Sequence, residues 1–180
     1  MQDEEITMAE GIKTLPPWRC AEIVLKVVET LEKVKLTGLY GNVLLLAREL
    51  GITVRPYSSF SAEHRVQLQK INLSYWKDGL CFFAPNGALS EACIFYDDSA
   101  SAQEIQSIIA HELGHIMLRH TQQSQNAELE AFFFSGILLG IMLVAGMLGL
   151  EAKLTDTIRQ TNNIRKVLHS FLSYKEVKAV

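Results

Sequence analysis

Ile108-Ile109-Ala110-His111-Glu112-Leu113-Gly114-His115-Ile116-Met117 is the stretch on which the reading of this chain turns. On an α-helix, residues four apart share a face, so the imidazoles of His111 and His115 can reach one ion. His-Glu-x-x-His is the spacing of a zinc site in which both histidines are ligands and the glutamate is a general base. Neutral imidazole suits Zn²⁺, and a catalytic zinc keeps three protein ligands and an open position for water. The stretch therefore predicts a helix with metal ligands His111 and His115 and catalytic Glu112, lacking one ligand.

Just upstream, Ser101-Ala102-Gln103-Glu104 is a capping box that sets the start of this helix. Ile105, Ile108, Ile109, Leu113 and Ile116 give it apolar cover. It should end near His120, where the helix dipole favours an imidazole. Thr121-Gln122-Gln123-Ser124-Gln125 reads as a polar loop, and Asn126 as the cap of a following helix that carries Glu128 and Glu130. A third histidine six residues past His115 would fall on position 121, which is Thr121, and Leu118 stands where that pattern needs glycine. The third ligand is then Glu128 or Glu130. Two residues apart on a helix, they point in different directions. One is the ligand, and the other faces solvent or orients an imidazole.

Ile108 to His115, followed by Glu128-Leu129-Glu130-Ala131-Phe132-Phe133-Phe134-Ser135-Gly136-Ile137-Leu138-Leu139, resembles the ImmA/IrrE family of zinc metallopeptidases, a gluzincin-like group. Arg48 to Val54 and Ile94-Phe95-Tyr96 fall where that family has a helix–strand pair and a strand before the motif helix. The resemblance spans roughly residues 40 to 140. It implies one Zn²⁺ per chain, with Glu128 as the metal glutamate and Glu130 as the alternative. It also implies peptide-bond hydrolysis, with a helix-turn-helix repressor as the protein substrate. Two positions depart from the family pattern: Phe132 replaces Asn or Asp, and Gly140-Ile141 replace Met-Pro. A rival of another class is a non-catalytic zinc fold that docks a repressor; the intact Glu112 argues for an enzyme.

Ahead of the motif, Pro16-Pro17 closes a loose leader and opens a helix. From Trp18 to about Leu36, Ile23, Val24, Val27, Val28, Leu31 and Val34 recur at helical spacing. A second helix from about Gly41 stops at Gly51, and Ile52 to Arg55 reads as a strand ended by Pro56. Residues 58 to 70 give no clear pattern, and His64 reads as exposed. A β-meander follows: a strand through Ile71, Leu73 and Tyr75, a turn at Asp78-Gly79, and a return strand Leu80 to Phe83. After a turn at Asn86-Gly87 comes a third strand, Ala92 to Tyr96. Trp76 reads as packing on the core edge. The third strand, through Ile94, Phe95 and Tyr96, is the expected partner of an extended substrate backbone, by strand addition. A last helix runs from about Asp156 to Ser173.

These elements predict an α+β, zincin-like fold, with a small antiparallel or mixed sheet packed on helices. At 180 residues this is one domain: a leader at 1–17, an apolar helix at 131–150 and a C-terminal helix at 155–174. Net charge of −3 supplies no basic field for nucleic acid. Cys20, Cys81 and Cys93 form no Cys-x-x-Cys pair and read as reduced thiols. The acidic N-terminus has no secretory pattern, so the expected location is cytoplasmic. Residues 131–150 carry no charge and reach the ~20 residues of a membrane span, which makes membrane association the alternative. Lys153, Arg159, Arg165 and Lys166 follow that run. The positive-inside bias would then export the motif helix without any signal to do so. A buried core helix is the expectation.

Overall fold

The computed structural model describes residues 14–34, 41–63, 66, 79–84, 86–121 and 124–148. Helix α1 spans Pro17–Glu32, with proline in its first turn and Ile23, Val27, Thr30 and Leu31 on its buried face. It is shorter than its apolar periodicity suggests, since Lys33 already caps it. Helix α2, Val43–Glu49, starts where the Asn42 side chain accepts the Leu45 N–H at 3.1 Å. Beyond it, Gly51 adopts φ +83°, the left-handed turn that glycine makes without a steric penalty.

Three short strands follow: β1 at Thr53–Pro56, β2 at Gly79–Phe82 and β3 at Cys93–Tyr96. The sheet order is β1-β3-β2, with β1 and β3 parallel and β2 and β3 antiparallel. Val54 and Cys81 both pair with Ile94, so one sheet face is formed around Ile94, which is fully buried. On the other face Phe95 meets Phe60 and Phe82, with ring centroids 4.6 and 6.1 Å away. The expected strand through Ile71, Leu73 and Tyr75 lies outside the described residues, as do His64, Trp76, Asp78 and the C-terminal helix at 155–174.

This order corrects one expectation. Ile94, Phe95 and Tyr96 do not form a substrate-binding edge. Both backbone edges of β3 are occupied, by β1 on one side and β2 on the other, so no N–H or C=O row remains for a third strand. Among the described strands, β1 and β2 are the outer ones, and β2 packs on the motif helix.

Helix α3, Ala102–Leu118, carries the motif. Its capping box is formed as the sequence predicts: Glu104 N–H donates to Ser101 Oγ at 3.3 Å, and Ser101 N–H to Glu104 Oε2 at 2.8 Å. The helix ends at Arg119 in the left-handed region, φ 57°. That conformation costs a non-glycine residue ~1–2 kcal/mol. The Arg119 guanidinium donates to the carbonyls of Ala84 and Gly87 at 3.3 and 3.1 Å, which ties the helix end to the turn between β2 and β3.

Helix α4, Ala127–Leu148, packs on α1 and α3. Ala131, Phe134, Leu138, Met142 and Ala145 form its buried seam. The opposite stripe is exposed: Phe132 at 64%, Leu143 at 60% and Val144 at 55%, with Gly136 and Gly140 between them. The expectation of a buried helix over 131–150 therefore holds for one face only. By length and composition, Ala127–Gly146 is a candidate membrane span.

Candidate metal centre

Helix α3 presents His111 and His115 one turn apart, with their Nε2 atoms separated by 3.1 Å. Glu128, in the first turn of α4, brings Oε2 to 3.1 Å from His111 Nε2 and Oε1 to 3.5 Å from His115 Nε2. One donor atom from each residue lies within 4.8 Å of the other two. Donors ~2.1 Å from a tetrahedral zinc stand about 3.4 Å from one another, so these three fit a single ion. The histidines are largely buried and Glu128 is open, its side chain 63% exposed. Burial and then the neighbouring His111 push His115 down to about 4. A neutral imidazole, the form that ligates, is thus favoured at neutral pH.

Glu112 points away from solvent, 9% exposed. Strand β2 lies against it. A Cβ built on Gly79 would sit 2.6 Å from Ile108 Cγ2 and 3.0 Å from both Cγ and Oε1 of Glu112. Only glycine lets the strand come this close. Two residues on, burial first and the Glu112 charge second push the Cys81 thiol up, and it is hydrogen-bonded to Glu112. Cys81 is therefore a neutral donor rather than a thiolate. Phe132 lies on His111, ring centroids 4.5 Å apart.

Glu130 turns the other way, as its spacing from Glu128 requires. Arg19 of α1 donates to it from Nε at 2.9 Å and from its terminal nitrogen at 2.6 Å. His120 Nε2 is 2.9 Å from Glu130 Oε2, and His120 Nδ1 is 3.0 Å from His115 Nδ1. Burial alone would raise the Glu130 carboxyl, but the bonds from Arg19 and His120 outweigh it and hold it below the usual range.

The family model for peptidase family M48 matches residues 83–179, more than half of the chain. The chain belongs to peptidase family M48. No curated protein and no solved structure matches it significantly. The matched span holds α3 and α4, and with them every residue of the His-His-Glu group. Membership of M48 makes this a metallopeptidase fold, and the donor set of the M48 domain suits the zinc typical of such enzymes.

Of the site residues expected from sequence, His111, Glu112, His115 and Glu128 come together in this M48 domain, and Glu130 stands behind them on His120. Ile94, Phe95 and Tyr96 do not join them as an open strand. Sequence reasoning missed His120, Arg19, Gly79 and Cys81. His120 follows His115 by five residues, off the helical face, and reaches it only because the chain turns at Arg119. Gly79 read as part of a turn, and Arg19 is 111 residues from its partner, so no local pattern signals either.

Proposed function

We propose that this M48 domain is a zinc-dependent endopeptidase in which His111, His115 and Glu128 hold one Zn²⁺ and Glu112 is the general base. The observation that carries this reading is the convergence of the three donors beside a glutamate buried under β2. A zinc bound there would act as a Lewis acid on a scissile carbonyl and acidify water. Glu112 takes a proton from the attacking water and passes it to the leaving amine. Its burial and the Cys81 hydrogen bond hold the carboxylate in place. Gly79 supplies the room for that carboxylate against the strand. An extended peptide would gain affinity from backbone bonds, and docking of a folded partner would give selectivity.

The resemblance of the two motifs to ImmA/IrrE supports a narrower substrate, a helix-turn-helix repressor cut at one or few bonds in the cytoplasm. Purified protein should hold one zinc, and His111→Ala or His115→Ala should lose it. Incubation with candidate repressors and fragment mapping by mass spectrometry should give cuts that vanish in Glu112→Gln. Zinc binding without any Glu112-dependent cut would sink the peptidase reading in favour of a non-catalytic docking protein. The exposed stripe Phe132, Leu143 and Val144 favours a second reading for location, a membrane-associated peptidase. Retention in carbonate-washed membranes would select it over the cytoplasmic one.

A further inference from the structure

Arg19, Glu130, His120 and His115 form a continuous hydrogen-bonded chain that ends on the metal centre. Its polarity follows from the donors and acceptors. The Glu130 carboxylate takes two N–H bonds from Arg19, at 2.9 and 2.6 Å, and can only accept. The hydrogen between it and His120 Nε2, 2.9 Å away, therefore belongs to the imidazole. In its neutral form the His120 ring has one N–H, which leaves Nδ1 as an acceptor. Facing it at 3.0 Å, His115 Nδ1 must then be the donor. His115 Nε2 is thereby bare, on the side where His111 Nε2 stands 3.1 Å away and Glu128 Oε1 3.5 Å away.

We propose that His120 is a positioning residue: through it the Arg19–Glu130 ion pair selects the His115 tautomer whose Nε2 is open to a metal. This rests on the reading of His115 as a zinc ligand. In the usual arrangement a carboxylate or carbonyl bonds the ligand histidine directly and fixes its tautomer. Here the carboxylate acts at one imidazole's remove. The side chains of His120 and Glu130 are 6% and 10% exposed, which limits water as a substitute partner. The chain also links α1 to the metal centre, since Arg19 is the α1 residue that anchors Glu130.

The test has a metal-free arm and a metal arm. In ¹⁵N-histidine-labelled apo protein near neutral pH, two-bond nitrogen–proton correlations should show His115 protonated at Nδ1. In His120→Phe the same spectrum should show the Nε2-protonated form gaining population. Zinc affinity, measured by competition with a chromophoric chelator, should fall about 10- to 100-fold in His120→Phe. His120→Asn can place a side-chain carbonyl near the lost Nδ1 acceptor and should recover most of that affinity. Apo unfolding temperatures establish that each variant is folded. His115 protonated at Nε2 in the wild-type apo protein overturns the proposal whatever the variants do. So does a loss in His120→Phe that His120→Asn fails to recover, since packing alone would then explain it. Zinc bound equally by wild type and His120→Phe overturns the relay alone, whereas a wild type that binds no zinc removes the metal reading beneath it.

Discussion

A methyl group placed on Gly114 would enter the seam between α3 and α4. It would lie 3.1 Å from Ala131 Cα, 3.2 Å from Ala131 O and 3.3 Å from Phe134 Cδ1. Carbon atoms rest about 3.5–4.0 Å apart, so the helices must separate by roughly 0.4 Å. Two of the three obstructing atoms are backbone, which no rotamer change can move. Alanine gains ~1 kcal/mol over glycine in a helix interior, while overpacking costs ~1–3 kcal/mol. Gly114→Ala should thus destabilise the apo protein by about 1 kcal/mol and lower Tm by ~2–4 °C. The larger effect should be on the metal. Glu128 lies one turn from Ala131 on α4, so the same separation draws it off the histidines. Metal–ligand distances tolerate only about ±0.2 Å, so zinc affinity should drop at least ~10-fold. Chelator competition and calorimetry of the apo protein measure the two effects. A raised Tm with unchanged zinc affinity would show that helix propensity wins and that the seam does not position Glu128, refuting the reasoning.

Glu112→Gln should retain zinc and fold while turnover falls ~10²–10⁴-fold, the usual contribution of a general base; equal turnover would remove Glu112 from the chemistry. Glu128→Ala should lose zinc affinity with little change in apo stability. Glu130→Ala leaves Arg19 and His120 without their shared acceptor and should cost about 2–4 kcal/mol in urea unfolding, less than a fully buried pair because Arg19 is partly exposed. If Glu130→Ala strips the metal and Glu128→Ala does not, the ligand assignment is reversed. The fold holds His115 down to about 4, against ~6.5 when unfolded. It therefore favours the neutral ring, so its stabilisation is complete above about pH 6.5 and is lost as pH falls through about 4. Urea midpoints of the apo protein should decline across that window, and less steeply in His115→Gln. Ser101→Ala removes the capping box and should cost ~1 kcal/mol, read as a fall of ~2–4 °C in Tm.

What the sequence by itself determined was confined to single elements. The two histidines, the glutamate between them and the capping box are set by one-turn spacing within α3, and every helix repeats that geometry. The apolar run after Glu130 marked α4 but not its environment, because a helix apolar all round carries no record of which face meets α1 and α3. The structure leaves Phe132, Leu143 and Val144 outside. Spacing alone told only that Glu128 and Glu130 point in different directions, and the family resemblance favoured Glu128. The packing of α4 on α3 turns Glu128 toward the histidines and Glu130 toward Arg19. Strand order was equally hidden, since alternation shows that a segment pairs but not with what. β3 inserts between β1 and β2, so Ile94, Phe95 and Tyr96 carry no open edge. His120 and Arg19 reach the site through the left-handed turn at Arg119 and a contact across 111 residues. Such contacts are made by packing between elements, which no local periodicity encodes.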